Sequence, residues 1–228
     1  MTYPRLPRKL SLILVLSLMT LPTWGAIELS QSFTADQTIP EGNPTGLTAK
    51  GFFTQTIIDP RANQVASISL GIQLTGGYNG SLFGFLVAPN GRMVTLMDRP
   101  GTAADGFGAA SSGMNITLAD NATVNIQSVT DGYGTTLTGN YQPKNPMGTL
   151  GCTPDNLTGN WQLFLASTMS GGGNATLKSW TLDIHLVSPV PEPGSFYAAL
   201  ALLLLLLATQ LMRQMDPRRL LRRPGPHS

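Results

Sequence analysis

Few residues in this chain could carry hydrolytic chemistry. The sequence contains only 2 histidines, His185 and His227, and 1 cysteine. A serine protease needs a histidine base beside a serine and an aspartate, but neither histidine stands in an HGTH-like segment and no GTSxAxP-like segment occurs. Zinc hydrolysis needs closely spaced histidine or cysteine ligands, which this set does not supply. The sequence therefore predicts no catalytic residue and no metal ligand.

The acidic residues leave one hydrolytic alternative open. Of the 12 aspartates and glutamates, all but Asp216 lie in the first 192 residues. Glycosidases use two carboxyl groups on either side of the scissile bond, and the sequence alone identifies no such pair. Asp98, Asp105 and Asp131 lie in predicted turns, where a solvated carboxylate is expected. The sequence predicts a non-enzymatic protein, with a weak glycosidase as an alternative.

The single cysteine lies in the loop segment TLGCTPDN. Cys152 has no second cysteine in the chain with which to form a disulfide. No histidine lies nearby in sequence to activate the thiol. We expect a small, partly buried and unreactive side chain, with cross-linking to a partner as the alternative.

The middle of the chain is acidic, although the formal net charge of the whole chain is +2. The basic residues that lie at the two ends are Arg5, Arg8, Lys9, Arg213, Arg218, Arg219, Arg222 and Arg223. Nucleic-acid binding needs clustered lysines and arginines that displace the counterions of phosphates. The acidic middle part has no such cluster, which argues against nucleic acid as a partner.

Residues 1–26 are typical of a secretory signal peptide. Three basic residues precede an apolar segment over residues 10–21, which is too short to span a bilayer comfortably. Gly25 and Ala26 then supply the small residues of a cleavage site. We expect the mature protein to begin near Ile27, and a retained membrane anchor is the alternative.

The other end of the chain combines a proline-flanked glutamate, an apolar run and a basic tail. The prolines of Val190-Pro191-Glu192-Pro193 lack N–H groups and favour extended geometry in the residues before them. The following run is apolar apart from a threonine and a glutamine and reaches ~26 Å as a helix, enough for an untilted membrane crossing. We expect a transmembrane helix over residues 195–212 and a cytoplasmic tail over residues 213–228. The arginines that fix this orientation are Arg213, Arg218, Arg219, Arg222 and Arg223.

The order of VPEPGSF, apolar span and arginine cluster, together with a signal peptide, resembles the PEP-CTERM sorting signal. This resemblance implies recognition by an exosortase of a Gram-negative bacterium that secretes exopolysaccharide. It also implies removal of the tail near Pro193 and transfer of the protein from the inner membrane to the cell surface or extracellular matrix. A permanent single-span anchor with a proline-rich stalk is the alternative.

The segment between the two ends has the pattern of short β-strands. VASISLGIQL alternates apolar and polar residues, with Ala66, Ile68, Leu70, Ile72 and Leu74 on the predicted buried face. SWTLDIHL repeats this pattern, while LFGFLVA and NWQLFLAS are continuous apolar runs typical of central strands covered on both sides. RMVTLM, MNITLA and ATVNIQSV are weaker candidates. Frequent turns rich in glycine, asparagine and proline separate these segments, so we expect an all-β antiparallel sandwich or jelly roll.

Three segments of this body resemble the P domain, or Homo B domain, of proprotein convertases. They are GSLFGFLVAPNGRMVTLMDRPG, LTGNYQP and LTGNWQLFLASTMSGGGNATLKSWTLDI. The resemblance implies a jelly-roll β-sandwich over residues 27–188. Where the family usually has a histidine and an aspartate, this chain has Gly76 and Ser81, and Ala166-Ser167 stand where the family often has an aspartate. We therefore expect no cofactor, although calcium is left open.

A P-domain-like sandwich without its protease predicts a binding or structural role. We expect an exported protein of the cell surface or exopolysaccharide matrix that acts in adhesion, matrix structure or glycan binding. An accessory module of a separately encoded secreted hydrolase is the alternative. The expected partners are an exosortase, the membrane before processing, and exopolysaccharide.

Overall fold

The computed structural model describes residues 27–54, 64–187 and 193–214. The chain divides into two compact units, Met1–Ser188 and Pro189–Ser228. The predicted signal peptide lies outside the described residues.

Within the described residues of the first unit, the body, nine strands confirm the all-β prediction. They are β1 (Ile27–Ile39), β2 (Asn43–Phe53), β3 (Gln64–Gly76), β4 (Leu82–Val87), β5 (Met93–Asp98), β6 (Met114–Ala119), β7 (Leu137–Tyr141), β8 (Gly159–Ser167) and β9 (Ala175–Val187). The connections contain four 3-10 helices and one helical turn, η1 (Asn79–Ser81), α1 (Thr102–Asp105), η2 (Ile126–Ser128), η3 (Met147–Leu150) and η4 (Pro154–Asn156).

The strands form two sheets that share one hydrophobic core. The five-stranded sheet has the order β1-β9-β3-β6-β7, and the four-stranded sheet has the order β2-β8-β4-β5. The alternation predicted for β3 and β9 points their apolar side chains into this core. The buried residues of these two strands include Ile68, Leu70, Ile72, Leu74, Trp180, Leu182, Ile184 and Leu186.

Ala66 departs from the predicted alternation of β3. The sequence pattern places Ala66 on the buried face, but the residue is exposed. The pairing of β3 with β9 shifts between Val65 and Ser67. Because a bulge inserts one extra residue, it inverts the inward and outward faces on one side of it. The prediction for Ala66 is wrong for this reason.

The two continuous apolar runs are the central strands β4 and β8 of the four-stranded sheet, as predicted. Their outward faces carry Phe83, Phe85 and Phe164, which are partly exposed. The rings of Phe85 and Phe164 stack with a centroid distance of 4.5 Å, and Phe83 contacts both rings edge-on. These phenylalanines shield one another on a face that was expected to lie under another layer.

One strand pair contradicts the antiparallel prediction. β7 lies at the edge of the five-stranded sheet and runs parallel to β6, with Met114 opposite Leu137 and Leu118 opposite Tyr141. A parallel neighbour requires a crossover in place of a tight turn. Residues 120–136 form this crossover, and η2 lies inside it.

The weaker strand candidates have different outcomes. RMVTLM and MNITLA contribute β5 and β6. The prediction for ATVNIQSV is wrong, because Asn125 caps η2: its Oδ1 accepts a hydrogen bond from the backbone N–H of Gln127 at 2.9 Å. Such a local bond offers the backbone an alternative to a sheet ladder.

The turn at Pro89-Asn90-Gly91 joins β4 and β5. Gly91 takes the positive φ of 80° that glycine tolerates, whereas Asn90 does not share it. The Oδ1 atom of Asn90 instead accepts the N–H of Arg92 at 3.0 Å, and its Nδ2 donates to the carbonyl of Leu150 at 3.0 Å.

The second unit contains the helix α2 (Pro193–Gln214). This helix includes the predicted span over residues 195–212. Among the described residues, no helix combines the length and the apolar character that a membrane crossing requires. The transmembrane role of this segment stays a prediction.

Candidate functional site

Most residues of the predicted sorting motif lie outside the described residues. Val190, Pro191 and Glu192 belong to this group, and Pro193 is the first residue of α2. Arg213 lies near the end of α2. The other predicted topology-determining arginines, Arg218, Arg219, Arg222 and Arg223, are outside the described residues.

The structure places His185 on the outward face of β9, as expected. Its Nε2 atom lies 3.7 Å from Oε1 of Glu28 on the neighbouring strand β1. His227 lies outside the described residues. Within the described part of the chain, no group of three or more histidines, cysteines, aspartates or glutamates could hold a metal ion.

The structure also shows the surroundings of Cys152 and Asp98, two residues considered in the sequence analysis. Cys152 is half-buried, and this burial raises the pKa of its thiol to about 11 although the nearby Arg92 lowers it. Asp98, expected to be a solvated turn acid, ends β5 and pairs with Nζ of Lys144 at 2.5 Å.

An open pocket lies where several loops of the body meet, and we call it the loop-end pocket. It has a volume of about 440 Å³. Four separate segments line it: Gly77, Tyr78 and Ser81 after β3, Ala110 and Ser112 before β6, Tyr133 and Gly134 before β7, and residues 169–172 after β8. Strand order brings these segments together, since β3, β6, β7 and β8 are distant in sequence.

Tyr78 forms one wall of the loop-end pocket and is held at both ends. Its hydroxyl donates to the carbonyl of Gly108 at 3.1 Å. Its Cβ lies so close to Gly172 that a Cβ at that glycine would collide with it. Glycine at position 172 therefore allows the loop after β8 to pack directly on Tyr78.

Tyr133 forms a second, far more exposed wall, with 92% of its surface accessible. It precedes Gly134, which has a φ of 76°, in a tight turn closed by the N–H of Thr135 and the carbonyl of Gly132 at 3.3 Å. The backbone N–H of Ser112 anchors this turn to the body by donating a hydrogen bond to the carbonyl of Thr135 at 2.8 Å. The ring of Tyr133 is thus presented to solvent by a fixed turn.

The glycine-rich loop after β8 forms the third wall, and Glu41 holds it in place. Oε2 of Glu41 accepts the backbone N–H groups of Gly171 at 3.0 Å and of Gly173 at 2.6 Å. The N–H of Gly42 donates to the carbonyl of Met169 at 3.1 Å. Charge-assisted bonds of this kind offset the large conformational entropy that the glycines of this loop lose on folding.

Small hydroxyl side chains lie at the base of the loop-end pocket. The hydroxyl of Ser81 donates to the carbonyl of Tyr78 at 2.7 Å and lies 2.9 Å from the hydroxyl of Ser167. Asn79 is fully buried and donates through Nδ2 to Ser111 and to the carbonyl of Gly113. Within the described residues, its Oδ1 atom has no hydrogen-bond partner.

Among the described residues, no aspartate, glutamate, lysine, arginine or histidine lines the loop-end pocket. Its side chains are two tyrosines, a methionine, serines, an alanine and glycines. A charged ligand would lose hydration there without gaining a counterion. The pocket therefore suits a neutral ligand with both apolar faces and hydroxyl groups.

A second depression, the sheet-face groove, lies on the outward side of the five-stranded sheet and has a volume of about 720 Å³. Its polar lining includes Ser67, Ser69, Thr117, Asn121, Asn140 and His185. The carboxylate of Asp120, which also lines it, accepts the backbone N–H groups of Met147 at 2.7 Å and Gly148 at 2.8 Å.

The residues of the loop-end pocket were not predicted as a site. A local signal does exist, because Tyr78 and Tyr133 each stand among glycines, in GGYNG and DGYGT. An aromatic residue flanked by glycines in a turn has little around it to bury the ring. What the sequence does not show is that these two turns meet.

These features define an all-β body of two sheets with an uncharged, aromatic-walled pocket between its loops. No family model matches the sequence, and no curated protein shows significant similarity to it.

Solved structures give distant matches. A crystal structure of the Aeromonas sobria serine protease in complex with the chaperone aligns with a TM-score of 0.40 and 11% identity, covering 72% of this chain and 27% of that chain. The structure of the Aeromonas sobria serine protease aligns with a TM-score of 0.38 and 12% identity, covering 71% and 27%. A structure of tomato aspermy virus aligns with a TM-score of 0.27 and 8% identity, covering 75% and 80%. At these scores the likenesses carry no argument about function.

Proposed function

We propose that this protein is a non-enzymatic, exported glycan-binding protein of the cell surface or exopolysaccharide matrix. The loop-end pocket is the observation that supports this proposal. Its two tyrosines offer apolar ring surfaces, and its serines and backbone groups offer hydrogen bonds to hydroxyls. A neutral sugar has this combination of C–H faces and hydroxyl groups.

The walls of the loop-end pocket are held in place, which favours binding without a large rearrangement. Tyr78 is held by Gly108 and Gly172, and the loop after β8 is held by Glu41. Because these walls are already ordered, binding of a ligand costs less conformational entropy. No cofactor enters this proposal, and the binding experiment below is run both with and without calcium.

The test is calorimetric titration of the full-length chain, purified in detergent, with neutral hexasaccharides of β-1,3- and β-1,4-linked glucose and β-1,4-linked mannose. We expect binding of at least one hexasaccharide, and roughly tenfold weaker binding for Tyr133→Ala, equivalent to about 1.4 kcal/mol. Phe52→Ala is the matched control, since Phe52 is 55% exposed but lies outside the pocket. Equal affinity of the wild type and Tyr133→Ala would reject the pocket as the glycan site.

We also propose that the chain is a substrate of an exosortase, which removes the C-terminal segment near Pro193 after insertion of residues 195–212 into the inner membrane. Support comes from the sequence order of motif, apolar run and arginines. In α2, Leu200 and the consecutive residues Leu202 to Leu207 are all exposed. Consecutive residues cover every side of a helix, and an apolar surface of that kind favours nonpolar surroundings.

Intact mass spectrometry of the protein recovered from the outer surface tests this sorting proposal. We expect a species that begins near Ile27 and ends close to Pro193. Retention of residues beyond Phe196 would instead support the alternative of a permanently anchored protein. Glu192→Ala should block processing. Glu28→Ala, which removes an acidic residue of the body, is the control and should not block it.

We propose further that the two-sheet body is a jelly roll of the P-domain type, on the basis of the three matching segments described above. The alternative function, an accessory module of a separate secreted hydrolase, predicts that a hydrolase is recovered with the purified protein. The glycosidase alternative predicts turnover of a hexasaccharide in the same titration, and that turnover would fall after Asp-to-Asn substitutions.

A further inference from the structure

The Tyr78 wall of the loop-end pocket depends on two chain segments that pack backbone against backbone. Residues 77–81 connect β3 to β4, and residues 106–113 connect α1 to β6. The N–H of Gly80, in the first segment, donates to a carbonyl of the second segment at 2.9 Å. A Cβ atom at Gly80 would lie 2.8 Å from both the carbonyl carbon of Gly108 and the Cε1 atom of the Tyr78 ring. The position of this ring therefore depends on how closely the two segments approach each other.

The side chain of Arg99, just after β5, connects the same two segments. Its Nε atom donates to the carbonyl of Gly80 at 3.3 Å, and its Nη2 atom donates to the carbonyl of Phe107 at 2.9 Å. Phe107 directly precedes Gly108, whose carbonyl accepts the hydroxyl of Tyr78. Because a guanidinium is planar and holds its N–H donors in a fixed geometry, it sets the distance between the two carbonyls that it binds.

The backbone of Arg99 has a conformation that a side chain rarely tolerates. Its φ is 57°, in the left-handed region that glycine adopts most easily. The N–H of Arg99 donates to the carbonyl of Leu82 at 2.7 Å, and its own carbonyl accepts the hydroxyl of Thr102 at 2.9 Å. These bonds hold the residue on both sides. A glycine at position 99 can keep this backbone and lose only the guanidinium.

We propose that Arg99 is a positioning residue for glycan binding, because its guanidinium fixes the two segments that orient the Tyr78 ring. This inference rests on the proposed function of the loop-end pocket. Arg99 is not part of the described lining of that pocket, so its contribution to glycan affinity passes through Tyr78. Substitutions of residues that act through one another are not additive. Removal of the guanidinium should therefore weaken binding only while the Tyr78 ring is present.

The experiment is a double-mutant cycle on the full-length chain in detergent, with Arg99→Gly, Tyr78→Ala and the combined variant. Arg99→Lys is a second variant that keeps the positive charge and the backbone but replaces the planar fork with a single ammonium. Lys178→Ala is the matched control, since Lys178 is a cation that pairs with Asp36 and does not line the pocket. Calorimetry with the hexasaccharide that binds the wild type best gives the affinities, and urea unfolding shows whether each variant is folded.

We expect roughly fivefold weaker binding for Arg99→Gly and Arg99→Lys, and less than about a twofold further change when Arg99→Gly is added to Tyr78→Ala. Lys178→Ala should bind as the wild type does. An equal loss from Arg99→Gly with and without the Tyr78 ring would overturn the positioning role. Failure of both Arg99 variants to fold would also overturn it, because the side chain would then act on the stability of the body.

The proposed function and the role of Arg99 can fail separately. If Tyr133→Ala weakens binding but Arg99→Gly does not, the role of Arg99 is wrong and the proposed function stands. Absence of hexasaccharide binding to the wild type, or equal affinity of the wild type and Tyr133→Ala, would overturn both.

Discussion

Individual side chains determine how closely the two sheets can approach. Phe33 of β1 lies against Trp180 of β9, with ring centroids 4.3 Å apart. The same ring faces Gly51 of β2 in the opposite sheet, where a Cβ atom would lie 2.6 Å from the nearest ring carbons. Gly51 therefore provides the space into which Phe33 fits, although its own φ is not positive. The requirement for glycine at this position is steric and long-range.

Gly51→Ala should destabilise the body by about 1–3 kcal/mol, because the added methyl group displaces the ring of Phe33 in a packed core. Urea unfolding measures this loss. Gly71→Ala, on β3 of the other sheet, is the matched control, because the nearest atom to an added Cβ there is 3.4 Å away. Equal unfolding midpoints for the two variants would contradict the proposed packing of Phe33.

The Cys152 thiol should react slowly in the folded protein. Burial disfavours the charged thiolate and raises the pKa of Cys152 to about 11, so the thiolate fraction stays small at pH 8 and grows as the pH approaches 11. Reaction with a disulfide reagent should therefore be at least tenfold slower than after denaturation in urea at pH 8. A native rate equal to the denatured rate would show that the thiol is exposed.

Among the structural elements, the edge strands β1 and β2 belong to different sheets, and the side chain of Gln31 forms hydrogen bonds between them. Nε2 of Gln31 donates to the carbonyl of Phe52 at 2.9 Å, and its Oε1 accepts the N–H of Thr54 at 3.1 Å. The amide thus bonds to backbone groups in the way that another strand would. The bond pair links the five-stranded sheet to the four-stranded sheet along their edges.

Gln31→Ala should cost about 1–2 kcal/mol of the free energy of unfolding, because both backbone groups lose their partner. Hydrogen exchange should show faster exchange of the Thr54 N–H in the variant. Gln37→Ala provides the control, since Gln37 lies on the same strand, is exposed and makes no side-chain hydrogen bond within the described residues. If both variants lose the same stability, the bridge by Gln31 is not the cause.

At the scale of the whole molecule, the described core belongs to the body alone. Every residue of the core cluster lies between Ile39 and Leu186.

A chain of residues 27–188 should therefore unfold at the same urea concentration as the full chain in detergent. Fluorescence of the buried Trp161 and Trp180 reports on unfolding in both proteins. A further deletion of residues 27–39 removes β1 and should lower the midpoint clearly, because Ile39 and the partner of Trp180 are lost. A lower midpoint for residues 27–188 would show that the C-terminal unit stabilises the body.

The sequence by itself determined the all-β class of the body and the core positions of β3 and β9. Alternation with a period of two is a local property. It identifies which side chains of one strand share its buried face, such as that of Leu70 on β3 or Ile184 on β9. It also identified β4 and β8 as central strands of their sheet, although their outward phenylalanines are partly exposed instead of covered by another layer. The sorting signal remains a prediction from sequence, since its motif lies mostly outside the described residues.

Only the tertiary structure decided which loops meet. The exposure of Ala66 depends on how β3 pairs with β9, and the parallel direction of β7 depends on the path of its crossover. Likewise, Tyr78, Tyr133 and Met169 belong to segments far apart in sequence and line one pocket because strand order places their loops together. Local patterns fix faces and turns, whereas a site built from several loops exists only once long-range pairing has fixed the order of the strands.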